Sequence, residues 1–408
     1  MRLWRFLLAG VSISVLVVCH KPLSAPGPVT LLSPADSAVL RTSVVPFTWQ
    51  GFGATEFELQ VAADSKFKTL CIDDTLAGDS ASPDVVTDGR YYWRVRARSA
   101  DSVWSEWSGE RRLDVERFRV VTSVKTDGYP HDVFVLGSRA YVADGQAGLA
   151  VFDISNPEAP VFLGARMDSL NEAWGVAASE SYAFVAYGYT ELLAVDIRNA
   201  DSLKVVGELS YPSPGYGYDV ALKDSWAYVA AGAQFIKVNV ADPAHPNLVY
   251  QGYYPRDCHG VALQGRYGYV ACEQLGVVAW LLDTTPPVQL GSMDTPSNAR
   301  GIAVQGGYVY VADGRDGLVV VDVTDPGYIS QVAVLSLKGY ANSVAVQDTL
   351  AFVTCGDGGI AVANVARPES PALVAQIPSS YAVGVGSSGP YVFVGDRDIG
   401  FVVIKQEE

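Results

Sequence analysis

The chain has 408 residues, of which 49% are hydrophobic and 18% charged, and this composition supports large buried cores in two or more domains. Its formal net charge of -15 repels phosphate groups, and no local cluster of Lys or Arg offsets it, so we expect no nucleic-acid partner. Abundant Val, Tyr and Gly with frequent turn residues predict an all-β protein.

The first element is a targeting segment. Two arginines precede an apolar run from Phe6 to Val18, which is too short to span a bilayer comfortably and is typical of a secretory signal. The run ends in the letters LVVC, which resemble the lipobox of bacterial lipoproteins and imply lipidation of Cys19. Plain secretion and an uncleaved anchor are the alternatives. All three place the rest of the chain outside the cytoplasm, in the cell envelope or on the outer surface.

After this leader of residues 1–27, residues 28–116 predict a small β-sandwich. The letters FTWQ at 47, FELQVA at 57 and YYWRVRAR at 91 alternate in the manner of half-buried strands packed sheet on sheet. Trp49 and Trp93 are the expected core residues, and the segment resembles a fibronectin type III domain. We expect it to act as a spacer between the membrane and the rest of the chain.

The sandwich ends in the letters WSEWS at 104–108, which resemble the WSXWS box of cytokine receptors. Arg94, Arg96 and Arg98 lie on one strand face at a period of two, so their guanidinium planes are expected to stack on the two tryptophans of this box. The motif has two interpretations, a receptor and a purely stabilising ladder. We favour the ladder, because each cation–π contact contributes ~0.5 to 2 kcal/mol without any partner.

The last segment, 117–408, is built from seven repeats. The letters YVA, or close variants, recur every 41 to 44 residues, and a β-branched residue stands eight positions before each aromatic residue. This constant offset predicts four-stranded modules of a β-propeller rather than a solenoid. We call the β-branched residues the anchors; they are Val133, Val176, Val220, Val261, Ile302, Val344 and Val385.

The order of strands predicts how the ring closes. Seven sets of first, second and third strands follow residue 131, but only six fourth strands accompany them. The missing fourth strand is FRVVTSVKT at 118, ahead of all the others, and the chain ends on GFVVIKQEE, a third strand. We therefore expect the N-terminal strand to pair with the C-terminal one and to close a seven-bladed propeller.

The letters GLVVVDV at 317, echoed by GLAVFDI at 148 and LLAVDI at 192, resemble the LVIVD repeat of bacterial and archaeal surface proteins. The resemblance covers Phe118 to Lys405 and is weaker in the fourth repeat, where Leu281 replaces the usual Asp. It implies a propeller at the cell surface and no catalytic residues. The acidic or amide column of the repeat is expected to cap turns before proline rather than to form a carboxylate ring. Its members are Asp153, Asp196, Asn239, Asp322 and Asn364.

The best candidate for a binding site is a variable column two residues before each anchor. Its members are His131, Trp174, Tyr218, His259, Arg300, Asn342 and Val383, of which the first six are candidate ligand contacts. Aromatic faces with scattered hydrogen-bonding groups suit sugars or peptide side chains. An ordinary variable loop rim is the alternative. Adjoining loops add further tyrosines, namely Tyr129, Tyr187, Tyr189, Tyr216, Tyr340 and Tyr381.

No motif identifies a reaction, a cofactor or a metal. Asp132 and Asp219 neighbour the variable column, but strand alternation is expected to turn them away from it. The Asp-Gly letters at Asp313 and the letters DRD at Asp396 are expected to be hairpin turns rather than calcium ligands. We therefore assign no catalytic residue, no cofactor and no metal.

These observations favour a monomeric, non-catalytic surface protein that binds a surface polymer or a protein. It would be held to the membrane only through its lipid anchor. An extracytoplasmic polysaccharide hydrolase or lyase that uses the same face is the alternative, since one fold carries both enzymes and scaffolds.

The four cysteines beyond the leader, Cys71, Cys258, Cys272 and Cys355, are expected to pair or to be buried in an oxidising compartment. Cys258 and Cys272 fall near the start of the first strand and the end of the second strand of the fourth repeat. A tight turn brings such positions opposite each other, a placement that fits a cross-strand disulfide. Two buried thiols are the alternative, because one residue of bulge turns the side chains apart.

Overall fold

The computed structural model describes residues 24–85, 87–166, 171–189, 191–211 and 215–407. Cys19 and the rest of the predicted leader up to residue 23 lie outside them. Within these ranges no helix is both long and apolar enough to span a membrane. The chain divides into two compact units: Met1–Ala38, Val45–Pro83 and Tyr91–Leu113 in the first, and Val39–Val44, Asp84–Arg90 and Asp114–Glu408 in the second.

The N-terminal part of the chain forms two antiparallel sheets. The smaller has the strand order Thr30–Ser33, Phe47–Gln50, Ser80–Ala81, and the larger has the order Ala38–Leu40, Arg111–Val115, Gly89–Arg98, Glu56–Ala62, Leu70–Leu76. Trp49 and Trp93 are fully buried, and the rings of Phe47 and Trp93 meet edge to face at 5.0 Å. The prediction that these two tryptophans belong to a core is confirmed.

The predicted arginine ladder is present on the larger sheet. The Arg94 guanidinium lies 4.2 Å from the Trp107 ring, that of Arg96 lies 4.6 Å from Trp104, and that of Arg98 lies 5.5 Å from Trp104. Each guanidinium also donates a hydrogen bond to a side chain on the adjacent strand. Each arginine of the ladder therefore has both a stacking partner and a hydrogen-bond partner within this unit.

The described part of the second unit contains seven antiparallel sheets, which we number in chain order by their first strands. In the third sheet one long strand runs through the positions of the second and third strands. A single turn of 3-10 helix, Ala200–Ser202, precedes the last strand of the second sheet. The strands, sheet by sheet, are Asp132–Leu136, Arg139–Ala143, Leu149–Asp153 and Val161–Arg166; Ala173–Ala178, Tyr182–Tyr187, Glu191–Asp196 and Lys204–Ser210; Gly217–Lys223, Trp226–Asn239 and Asn247–Cys258; Gly260–Gln264, Tyr267–Ala271, Val277–Leu281 and Val288–Met293; Ile302–Gln305, Tyr308–Ala312, Leu318–Asp322 and Ser330–Leu335; Ser343–Gln347, Leu350–Thr354, Ile360–Asn364 and Ala372–Ile377; and Ala382–Ser388, Tyr391–Asp396, Gly400–Gln406 and Phe118–Val124.

The seventh sheet takes its fourth strand from the beginning of the unit. Phe118–Val124 pairs antiparallel with Gly400–Gln406, so that Val124 lies opposite Phe401 and Phe118 opposite Gln406. The first strands of successive sheets pack side by side, and the first strand of the seventh sheet contacts that of the first. Hydrophobic clusters fill the spaces between neighbouring sheets.

The turn after the third-strand position is fixed by an Asx cap in five of the seven sheets. The Oδ1 atom of Asp153 accepts a hydrogen bond from the Ser155 N–H at 2.7 Å, and the other four members of the column make the same bond to the residue two positions on. The predicted turn-capping role is confirmed. The caps also explain a small residue in the fourth strands, because a Cβ on Gly291 would lie 2.8 Å from the Pro326 carbonyl oxygen of the next sheet's turn.

Candidate functional site

The variable column lines one cavity of about 290 Å³. The cavity lies where the first strands of the seven sheets come together, and each column residue stands at or just before the beginning of its strand. Every member of the column is half-buried, as expected for side chains at the wall of a cavity that opens to solvent. The structure thus brings together His131, Trp174, Tyr218, His259, Arg300, Asn342 and Val383.

The wall one residue further along each first strand is packed too closely for most side chains. A Cβ on Gly175 would lie 2.5 Å from the Asp219 Cα, and a Cβ on Gly301 would lie 2.5 Å from the Ser343 Cα. Real Cβ atoms do not approach other atoms so closely, so glycine is required at these two positions. The variable column therefore stands above a layer in which few side chains fit.

Four rings of the column form a continuous arc, which we call the aromatic arc. His131 stacks on Trp174 with ring centroids 3.9 Å apart, Trp174 meets the edge of Tyr218 at 5.5 Å, and Tyr218 lies 4.0 Å from His259. Tyr216, from the adjoining loop, lies 5.4 Å from Trp174. These rings offer the cavity a set of apolar faces with polar edges, an arrangement suited to flat, partly apolar ligands.

The adjoining tyrosines divide into two groups. Tyr129 and Tyr189 are more than half exposed, and Tyr189 lies 4.5 Å from Tyr216. Tyr187 is 4% exposed and packs in a core cluster that includes Val176. The expectation that Tyr187 belongs to the rim is wrong, because it ends the second strand of its sheet with its side chain turned into the core.

The opposite side of the cavity carries Arg300 and Asn342. The Arg300 guanidinium lies 5.3 Å from the Tyr340 ring, and within the described residues it has no carboxylate partner and no acceptor for Nε. Asn342 Nδ2 donates to the Tyr340 carbonyl oxygen at 3.0 Å. Tyr381 is placed similarly, since its ring lies 4.6 Å from the Arg397 guanidinium. Arg300 therefore presents hydrogen-bond donors to the cavity, whereas the Nδ2 group of Asn342 donates to backbone carbonyl oxygens.

Both histidines of the arc are neutral at neutral pH. Burial, with a smaller contribution from Arg397, lowers the pKa of His131 to about 4. Burial, with a smaller contribution from Arg300, lowers the pKa of His259 to about 3. His259 Nε2 lies 3.2 Å from the Glu273 carboxylate, a contact that favours the imidazolium, but burial and Arg300 outweigh it. The arc therefore presents uncharged rings.

Asp132 and Asp219 also line this cavity, and the expectation that strand alternation turns them away is wrong. The first strand is the edge of each sheet, so part of its backbone has no strand partner. Each carboxylate accepts one N–H from the next residue of its own strand and one from the anchor of the following sheet, at 2.7 to 3.0 Å. The demand of these edge N–H groups keeps the two side chains at the cavity wall.

The two carboxyl groups lie in an environment that disfavours their charge. Burial raises the pKa of Asp132, and burial together with the negative charge of Asp132 raises that of Asp219. Their backbone hydrogen bonds act in the opposite direction and only partly offset burial. In the described part of the chain neither carboxyl group forms an ion pair.

The aspartates considered for calcium hold loops in place. Asp313 accepts hydrogen bonds from the Thr295 hydroxyl at 2.7 Å and from the Ser297 N–H at 2.8 Å. Asp396 makes corresponding bonds to the Ser379 hydroxyl and the Tyr381 N–H. Across the ranges that the structure describes, no group of three or more His, Cys, Asp or Glu side chains is arranged to hold a metal ion.

The cysteines differ in their surroundings. A disulfide joins Cys258, the last residue of the third sheet, to Cys272, which follows the second strand of the fourth sheet; the two cysteines directly precede His259 and Glu273. Cys355 is a buried thiol whose pKa burial raises to about 12. Cys71 is a free and exposed thiol, so the expectation that every cysteine pairs or is buried is wrong for this residue. It lies on Leu70–Leu76, an edge strand with one face in solvent.

Solved structures with a similar fold include a WD40 β-propeller. A chain of the mitotic checkpoint complex superposes at a TM-score of 0.58 and 11% identity, and the match includes 72% of this chain and 92% of that chain. The WD40 β-propeller domain of Doa1 covers 71% of this chain with 97% of its own, at 10% identity and a TM-score of 0.57. The computationally designed Ika8 protein superposes at a TM-score of 0.51 and 10% identity, and the match includes 80% of this chain and 92% of that chain. At this level of identity the likeness concerns the fold alone.

No curated protein matches the chain. The LVIVD repeat family model matches six segments that together cover more than half of it: 127–168, 171–210, 214–251, 296–333, 338–377 and 380–404. The matches pass over residues 252–295, which include the repeat with Leu281 in the usual Asp position. The four-stranded sheets agree with this repeat and with the WD40-like propellers. The chain belongs to the LVIVD repeat family of β-propeller proteins.

Proposed function

We propose that this protein is a non-catalytic surface protein that binds a polysaccharide in the cavity of the second unit. The observation that carries the proposal is the aromatic arc, in which four uncharged rings border one cavity. Sugar rings have apolar faces that pack on aromatic rings, while their hydroxyl groups need hydrogen-bond partners. Arg300 and Asn342 supply such groups across the cavity.

We infer the architecture that presents this cavity from the strand order. The seven sheets are the blades of a seven-bladed propeller, and the pairing of Phe118–Val124 with Gly400–Gln406 supports closure by the N-terminal strand. The two N-terminal sheets with buried Trp49 and Trp93 support a fibronectin type III-like sandwich. A lipid on Cys19 would hold the molecule at the outer surface as a monomer, without cofactor or metal.

The proposal is tested by binding to an array of polysaccharides and to candidate surface proteins. Trp174→Ala and Tyr218→Ala each remove one ring of the arc, and each is expected to weaken glycan binding by about tenfold or more, as central aromatic contacts do in other interfaces. Trp107→Ala is the matched control, since it removes an aromatic ring from the first unit. Binding of a protein but of no glycan would instead assign a protein ligand, and unchanged binding by both arc variants would refute the site.

A second function, cleavage of a polysaccharide, is favoured by one observation. Asp132 and Asp219 lie in the same cavity, and burial raises the pKa of both, as is common for acid and base groups. Prolonged incubation with each bound glycan distinguishes the two functions. Intact glycan supports binding alone, whereas shortened products that disappear in Asp219→Asn establish the enzyme.

A further inference from the structure

Two carboxyl groups line the cavity from the first strands on either side of the second sheet. Asp132 extends from the first sheet and accepts the Val176 N–H at 3.0 Å, while the Cα of Asp219 in the third sheet stands within 2.5 Å of where a Gly175 Cβ would be. Gly175 and Val176 are consecutive residues of the second sheet. Asp132 and Asp219 therefore flank the second sheet at the cavity wall, next to Trp174 of the aromatic arc, and the Asp219 carboxylate accepts the Val261 N–H of the fourth sheet at 2.8 Å.

This pair lacks a positive partner. Both side chains are half-buried, and within the described residues no Lys, Arg or His forms an ion pair with either. Two carboxylates in a poorly solvated site repel each other, and a proton or an external cation relieves that repulsion. Burial raises the pKa of both groups, and the negative charge of Asp132 raises that of Asp219 further. Each carboxylate oxygen has a lone pair left after its backbone hydrogen bond, so an entering donor finds acceptors.

The remaining charges of the site do not supply that cation. Arg300 lines the cavity from the fifth sheet and stacks on Tyr340, and Arg397 lies near His131 and stacks on Tyr381. Glu273 adds a further negative group beside His259. With a formal net charge of -15, the chain as a whole attracts cations. The cavity therefore has an acidic side with aromatic faces and a side that donates hydrogen bonds.

Building on the proposed function, we propose that the sugar unit bound in this cavity is an amino sugar, with its ammonium group between the carboxylates of Asp132 and Asp219. The three N–H donors of an ammonium group match the free acceptors of the pair. The same cation lies beside the Trp174 and Tyr218 rings, where a cation–π contact adds to the attraction. The hydroxyl oxygens of the sugar then face Arg300. A cavity of about 290 Å³ suits one unit of a polymer.

The test compares two probes that differ only in charge at the amine. Oligomers of glucosamine and of N-acetylglucosamine of equal length are titrated into the full mature chain at neutral pH and low salt. We expect the glucosamine oligomer to bind at least tenfold more tightly, and added salt to weaken it selectively. Equal binding, or preference for the acetylated oligomer, overturns the amino-sugar proposal while leaving glycan binding in place. Failure to bind any glycan overturns the proposed function itself.

Variants identify the side chains that cause the preference for the glucosamine oligomer. Asp219→Asn keeps the shape of the side chain and removes its charge, and it is expected to abolish the preference for the glucosamine oligomer. Asp153→Asn is the matched control, because Asp153 caps an exposed turn outside the cavity. If Asp219→Asn does not fold, the ratio of the two oligomer affinities measured with the unmodified chain still tests the amino-sugar proposal. A lysine-rich peptide that binds more tightly than both oligomers overturns the amino sugar in favour of a cationic protein segment, and shortened oligomers overturn simple binding in favour of catalysis.

Discussion

Removing the disulfide between Cys258 and Cys272 is expected to destabilise the second unit by ~3 kcal/mol. The bond joins residues 14 positions apart, and a closed loop of this length lowers the entropy of the unfolded chain by an amount worth ~3 kcal/mol. Both cysteines are fully buried, so the double variant Cys258→Ala/Cys272→Ala avoids the added cost of buried hydroxyl groups. A loss of this size lowers the melting temperature by on the order of 5 °C.

The assay is thermal unfolding of the mature chain, combined with hydrogen exchange of peptides from the fourth sheet. Exchange is expected to quicken in Gly260–Gln264 and Tyr267–Ala271, the strands adjoining the two cysteines. A reductant should lower the melting temperature of the unmodified chain to that of the double variant and leave the double variant unchanged. Cys71→Ala is the control, since it removes an exposed free thiol and is expected to change neither measurement.

Mass spectrometry decides whether the bond forms. The chain is denatured without reductant before alkylation, because burial raises the pKa of the Cys355 thiol to about 12 and makes it unreactive in the folded protein. Two alkylated cysteines, Cys71 and Cys355, are expected in the mature chain. Four alkylated cysteines would eliminate the disulfide, and a disulfide whose reduction leaves exchange and melting unchanged would refute the entropic estimate.

Three further predictions concern closure, anchoring and pH. Deleting Phe118 to Thr126 is expected to lower the stability of the second unit by ~5 kcal/mol or more, because a strand with six paired residues is lost from the seventh sheet; a deletion variant that melts as the intact chain does would contradict closure. Metabolic labelling with palmitate is expected for the wild type and not for Cys19→Ser, whereas labelling that persists in the variant excludes this site. The lowered pKa values of His131 and His259 mean that the unfolded chain binds more protons below about pH 6.5, so their contribution to stability falls as pH falls. His259→Gln should therefore reduce the slope of unfolding free energy against pH between 6 and 4 by up to ~1.4 kcal/mol per pH unit, and an unchanged slope would show that His259 is not buried as described.

Sequence reasoning predicts the repeats because packing imposes them, and it predicts the variable column because that column departs from the repeated pattern. Each anchor, such as Val133 or Val261, must fill the same space between neighbouring sheets, so a β-branched residue recurs at one offset. Against that regularity, residues such as Trp174 and Arg300 stand out as positions released from packing. The Asx caps were predictable for a related reason, since their hydrogen bonds join residues two positions apart and depend on local sequence alone.

What sequence reasoning missed depends on contacts between different sheets. The position of Asp132 follows from an N–H in the next sheet, Val176, that a period-two pattern does not contain. Tyr187 has a similar sequence context to the rim tyrosines, yet one step along the strand turns it into the core. The choice between a disulfide and two thiols for Cys258 and Cys272 depends on the register of two strands. Sequence reasoning predicts that register only to within about one residue. Each of these contacts can be predicted only when the position of the neighbouring chain segment is known.

The geometry of the first strands explains why chemistry at this cavity is confined to particular positions. Where neighbouring first strands touch, a residue is glycine, as at Gly175 and Gly301, a side chain that bonds the neighbouring backbone, as at Asp219, or the small Ser343. A substitution in that layer disturbs the contact between sheets as well as any ligand. One residue earlier the strands diverge, and rings as different in size as His131 and Trp174 are accommodated side by side. Variation in the mouth of the cavity can therefore change the ligand without altering the ring of strands beneath it, whereas the paired carboxylates below can be exchanged only at a cost in stability.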